Sequence, residues 1–252
     1  MTASEHLLRK DHGEGIVGIE LNRGPVNALS PAFLMDLADM LAGMEADDSV
    51  RAVVLSSPFK VFSAGLDLKE AQDFDLAQQH AIVEALNVGF LALFAFPKPV
   101  VAAVGGAAIA GGLFYVLGSD IRVAGPRARF GLAEVRVGAD FPVGPMEIAR
   151  ATLDPNTLRR LMLTGQPITA QEARAAGIVD LLEEDAGILL DRALAEARAL
   201  ADLPSIAYAS VKRQIRQPAI TAIEAAMAQG ANAPQGGWFN AQTRDAMRRM
   251  IG

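Results

Sequence analysis

Apolar residues change their period several times along the chain, and each change marks an element. His6 to Lys10 and Ile16 to Leu21 read as two short strands joined by a turn rich in Asp, Gly and Glu, which is a hairpin. Ser30 followed by Pro31 forms a helix start, an N-cap with proline at the first helical position. Leu34, Leu37, Leu41 and Met44 then follow at spacings of three and four, the stripe of an amphipathic helix. A continuous apolar run from Val50 to Leu55 predicts a buried strand. The theme recurs as a helix over Ala77 to Phe94, a strand over Val100 to Val104, a glycine-bounded loop, a buried helix from about Gly111 and a strand over Ile121 to Ala124. Strands alternating with helices predict an α/β fold with a largely parallel, buried sheet.

Beyond about residue 144 only Ile178 to Leu182 reads as strand. Thr169 with Glu172 has the spacing of a capping box, opening a short helix that stops at Gly177, and Leu189 to Leu200 is a longer helix. Pro204 to Gln217 and Ala219 to Gln229 read as two further helices. The chain therefore divides into a core over residues 1–185 and a helical region over 186–252, whose apolar faces are expected to pack between subunits.

Composition narrows the function classes. The formal net charge of −6 gives no positive field for nucleic-acid phosphates, and the absence of cysteine removes disulfides, thiolate nucleophiles and zinc–thiolate sites. The uncharged run from Pro99 to Ser119 has the length of a membrane span, but its glycines and alanines suit a buried strand, loop and helix instead. Met1 to Gly15 has no basic region leading into an apolar run, so a cytoplasmic protein is expected.

Two segments carry chemistry. In Phe62-Ser63-Ala64-Gly65-Leu66-Asp67-Leu68-Lys69-Glu70, the Asp-x-x-Glu spacing makes Asp67 an N-cap and leaves N–H groups near Leu66 outside the hydrogen-bond ladder, where they would attract an oxyanion. The second is Gly105-Gly106 through Gly111-Gly112, which lacks the spacing of a dinucleotide fingerprint and the Lys-Ser/Thr ending of a P-loop. Its paired glycines still allow backbone to approach a ligand closely.

Five landmarks in order resemble the enoyl-CoA hydratase/isomerase (crotonase) family: Leu21-Asn22-Arg23 with Asn27-Ala28-Leu29; Phe62 to Leu68; Gly111-Gly112; Asp120 to Ala124 leading to Phe130 through Gly138; and Leu163-Thr164-Gly165 with Ala173 to Asp180. The resemblance runs from about Ile19 to Met250. It implies a spiral of strand-strand-helix units with a helical C-terminal trimerisation region, hence a homotrimer or a dimer of trimers. It also implies an acyl-CoA substrate, with no separate cofactor because coenzyme A is part of that substrate, and no metal. The thioester carbonyl would lie between the N–H groups of Leu66 and Gly111, and Val26, Ala64, Gly65, Asp67 and Leu68 would frame the coenzyme.

Glu134 matches the family's catalytic glutamate, and apolar neighbours such as Leu132, Val135 and Val137 would raise its pKa. The chain departs from the hydratases at Phe114, where they carry a second glutamate. Water addition needs a base and an acid, whereas a double-bond shift needs one carboxylate to move one proton. The wording of the Phe62 to Leu68 segment is also closest to 3-enoyl-CoA to 2-enoyl-CoA isomerases. A double-bond shift is therefore expected, with a hydratase or related acyl-CoA lyase using Asp140 as second acid the alternative, and a non-catalytic binding homologue a third. His6, His12 and His80 lack ligand spacing, Ser119 lacks a nucleophile elbow, and Lys60 could meet a coenzyme phosphate.

Overall fold

A computed structural model describes residues 5–251. The hairpin forms as β1 (Leu7–Asp11) against β2 (Ile16–Leu21), antiparallel, with Leu7 opposite Leu21. α1 (Pro31–Ala46) starts where the sequence indicates, the Ser30 side chain accepting from the Phe33 N–H, and buries Leu34, Leu37, Leu41 and Met44.

Three turns of a spiral follow, each built from two strands and then helix. The first is β3 (Ala52–Ser56), β4 (Val61–Ser63), α2 (Leu68–Ala71) and α3 (Leu76–Ala95). The second is β5 (Val100–Val104), β6 (Ala107–Ile109), a 3-10 turn over Ala110–Gly112 and α4 (Leu113–Leu117). The third is β7 (Ile121–Ala124), β8 (Arg129–Gly131), a 3-10 turn over Glu134–Val137 and α5 (Val143–Thr152). The first strand of each turn joins a six-stranded sheet. The second joins a smaller sheet in which β4, β6 and β8 lie side by side and parallel.

The chain closes with α6 (Pro155–Thr164), β9 (Ile168–Thr169), α7 (Ala170–Ala175), β10 (Leu181–Leu182), α8 (Leu189–Ala201), α9 (Ser205–Ala228) and α10 (Thr243–Ile251). The large sheet runs β1-β2-β3-β5-β7-β10 and is parallel from β2 onward. Its central strands β3 and β5 are buried on both faces, which is why they read as unbroken apolar runs. Val53, Leu55, Val100 and Ala102 join the core that includes residues of α1 and α3. Ala52, Val54, Val101 and Ala103 pack with Leu189, Ala193, Leu194 and Ala197 of α8.

Several expectations change. The stretch between Val104 and Gly111, expected as loop, contains β6, and β4, β8 and β9 were not anticipated. Strands of two or three residues are too short to show alternation, and glycines flank β6. The helices expected on either side of Pro218 are one helix, α9. An interior proline removes one N–H, but Ala219, Ile220 and Ile223 beyond it pack into the core and carry the helix through. Residues 186–252 pack on the core: α8 covers one face of the central sheet, and α10 returns to the region of α2 and the Glu134 turn. No helix among the described residues is long and apolar enough to cross a membrane.

Candidate active site

The C-terminal ends of three adjacent parallel strands converge. Leu66 lies three residues past β4, Gly111 two past β6 and Glu134 three past β8, the end of a parallel sheet at which α/β proteins commonly bind ligands.

The β4 end is shaped by glycine and a cap. Gly65 has φ +81, and a Cβ there would lie 2.9 Å from the Ala110 Cβ and 3.2 Å from the Gly111 nitrogen, so the two loops touch through bare backbone. The Asp67 carboxylate accepts from the Lys69 and Glu70 N–H groups and fixes the start of α2. Asn27, fully buried with φ +48, holds the facing loop: its Nδ2 donates to the Phe62 carbonyl and the Ser57 hydroxyl, and its Oδ1 accepts from the Arg23 N–H. That loop is tied down by the Leu29 N–H donating to the Gly65 carbonyl and the Ala64 N–H donating to the Val26 carbonyl. Among the described residues, none of the turn and loop backbone bonds uses the N–H of Leu66 or Gly111.

At the β6 end, Ala110 is held at φ +51, a conformation costing roughly 1–3 kcal/mol for a residue with a side chain. A Cβ on Gly111 would collide with the Leu29 Cδ1, so the nearest obstacle to a side chain there is the protein itself.

These ends open into an apolar cavity of about 110 Å³. Ala64, Leu66, Leu68, Gly111 and Glu134 line it, as does Phe114, buried with its ring 5.4 Å from that of Phe90. Val26, Gly65 and Asp67 frame the loops without lining the cavity. Glu134 is 8% exposed, and its Oε2 has no hydrogen-bond partner. Burial pushes its carboxyl up to about 8 against a small opposing pull from its own backbone N–H. Glu134 is the sole titratable side chain among the described residues lining the cavity.

Asp140, the candidate second acid, is exposed and outside the lining; its backbone carbonyl accepts from the Trp238 indole N–H at 2.9 Å. Lys60 is exposed as well. The Ser119 hydroxyl donates to the Tyr115 carbonyl, and the His80 Nε2 bonds the Pro234 carbonyl. No group of metal-binding side chains occurs among the described residues. Trp238, Met247 and Met250 also line the cavity and were not anticipated. Gly236 and Gly237 before Trp238 signal a turn, but no local pattern connects that turn with a site more than a hundred residues away.

The sequence profile described as Enoyl-CoA hydratase/isomerase matches residues 11–241. The chain belongs to this family. Among the family's relatives, the 2,3-dehydroadipyl-CoA hydratase of Escherichia coli strain K12 is 34% identical over 213 residues, covering 84% of this chain and 82% of that protein. The human mitochondrial delta3-delta2-enoyl-CoA isomerase superposes with a TM-score of 0.90 at 26% identity, over 98% of this chain and 97% of that one. An apo enoyl-CoA isomerase of Mycobacterium tuberculosis gives 0.83 at 30% identity, over 92% and 99%. The fold is the crotonase fold, and the chain is an enzyme of the enoyl-CoA hydratase/isomerase family.

Proposed function

We propose that the enzyme shifts the double bond of 3-enoyl-CoA thioesters to the 2-position. One observation carries this reading: the cavity offers one carboxyl group, Glu134, and an apolar ring, Phe114, where a second acid would be needed for hydration. In the proposed mechanism the Glu134 carboxylate takes a proton from C2. The charge moves to the thioester oxygen, where the Leu66 and Gly111 N–H groups stabilise it, and the same carboxyl returns the proton at C4. One such donor is typically worth roughly 3–4 kcal/mol of the barrier. Adding water would also require a seat for the water and a group to activate it, and among the described residues no lining side chain besides Glu134 is an acid or a base.

The hydratase name of the Escherichia coli relative favours the alternative reaction, and products separate the two. Wild type given 3-enoyl-CoA should form 2-enoyl-CoA, and given 2-enoyl-CoA should form little 3-hydroxyacyl-CoA. Glu134→Gln should lower isomerisation by roughly a hundredfold or more, while Asp140→Asn changes it little. Rapid hydration, no isomerisation and equal loss in both variants would overturn the proposal. We place the enzyme in the cytoplasm as a homotrimer or dimer of trimers. The apolar side chains of Ile206 and Ile215, exposed on α9, would be covered between subunits, and a monomer by light scattering would count against this assembly.

A further inference from the structure

Trp238, Met247 and Met250, which line the cavity, come from the last twenty residues of the described chain, and the strap that carries Trp238 is fixed by uncharged amides. Gln79 on α3 is 6% exposed, and its Oε1 accepts from both the Trp238 and Phe239 N–H groups at 3.0 Å, while its Nε2 donates to the Phe74 carbonyl. A Cβ on Gly237 would come 2.5 Å from that same Oε1, so the strap presses closely on the amide. Asn87, one α3 turn pair further on and fully buried, donates to the Asn232 side chain and accepts from the Gly144 N–H. On its other side the strap grips the segment that follows Glu134. The Trp238 indole N–H donates to the Asp140 carbonyl, Phe239 pairs with Ala139, and the Asn240 and Thr243 side chains both donate to the Gly138 carbonyl. Trp238 is thus pinned through its backbone to one wall and through its ring nitrogen to another, and Met247 and Met250 line the cavity beside it.

We infer that this cavity selects an uncharged aliphatic acyl chain, and that Trp238, held in place by Gln79, sets how long that chain can be. The inference rests on the acyl-CoA reading of the site but not on the choice between isomerisation and hydration. Among the described residues the lining holds no cation to receive a terminal carboxylate, whose burial unpaired would cost several kcal/mol, more than a hundredfold in affinity. A rigid indole tied at both ends cannot move aside as a free side chain could, so it makes a limit where flexible methionines alone would give way. Gln79 is a positioning residue that acts through Trp238.

The test is calorimetric binding of saturated straight-chain acyl-CoAs, short to long, which needs no turnover. For wild type, affinity should rise about fourfold for each methylene buried and then stop rising or fall where the chain meets Trp238. Trp238→Ala should move that turning point to longer chains, with a gain of about tenfold for the first chains that wild type rejects. Trp238→Phe should lie between the two. Gln79→Ala keeps the indole but frees the strap, and should blur the turning point; a loss of general stability would instead scale all chain lengths alike. An acyl-CoA ending in a carboxylate should bind at least a hundredfold more weakly than its aliphatic counterpart. An unchanged turning point in Trp238→Ala with native circular dichroism would overturn the length assignment, a sharp one in Gln79→Ala the positioning role, and tight binding of the ω-carboxylated chain the selectivity. Failure of wild type to bind any acyl-CoA would sink both this inference and the acyl-CoA reading beneath it, whereas hydration without isomerisation would sink only the proposed reaction.

Discussion

Burying Glu134 in an apolar cavity should be visible in stability as well as in rate. Its carboxyl is raised from 4.5 to about 8 by burial, so between these values the native protein keeps a proton that the unfolded chain has released. The sign follows directly. Native stability from this group is fully present below pH 4.5 and is lost progressively as pH rises toward about 8. At roughly 1.4 kcal/mol for each pH unit of the interval, the full loss is about 5 kcal/mol, of which about 3 kcal/mol has accrued by pH 7. That is a large part of the 5–15 kcal/mol by which domains are typically stable, roughly speaking. Glu134→Gln removes the titration while keeping the shape. Urea denaturation of both proteins at about pH 5, 7 and 9 should therefore show wild type losing about 4 kcal/mol relative to the variant across the series, because part of the loss has already accrued at pH 5. The rate carries the same signature. With the base near 8, about a tenth of the free enzyme is ionised at pH 7, and kcat/KM should climb nearly tenfold per pH unit below that value and level above it. A stability difference independent of pH, together with a flat kcat/KM between about pH 6 and 8, would refute the assignment of Glu134 as a buried, mostly protonated base.

Two further outcomes follow from buried polar groups outside the cavity. The Tyr115 hydroxyl is fully buried without a partner among Phe33, Phe62 and Phe90, so Tyr115→Phe should raise stability by about 1 kcal/mol in urea unfolding; a loss would mean the hydroxyl has a bound partner. Asp120 bonds Lys212 at 2.7 Å and Arg216 at 2.8 Å in a pair of largely buried bridges that anchor α9. Asp120→Asn should cost about 3 kcal/mol by leaving both cations short of their counter-charge, and an unchanged unfolding midpoint would show that α9 is anchored by its apolar contacts alone.

What could be read from the sequence depended on how local each cause was. The stripe of α1, the Asp67 cap and the Thr169–Glu172 capping box are set by residues within a few positions of one another, and all three form as the sequence implies. The strands β4, β6 and β8 were beyond reach because three residues carry barely one alternation, although they place all three candidate chemical groups. Those candidates are legible anyway, through the local chemistry just past each strand: the Asp67 cap beside Leu66, paired glycines at 111 and 112, and Glu134 in a segment matching a family landmark.

The wall opposite follows a different rule. Gln79 and Trp238 are separated by 159 positions, and neither amide nor indole belongs to a periodic pattern that would pair them. Their association depends on the segment after α9 turning back to α3, and α9 itself runs unbroken through Pro218, where the sequence implies two helices. On the proposed reading, the same difference separates reaction from selectivity in this molecule. An oxyanion hole and a buried base can be built from short loops at neighbouring strand ends, each with its own local signature. A limit on chain length requires a surface to be held at a fixed distance across the cavity, and only contacts between remote segments can hold it there.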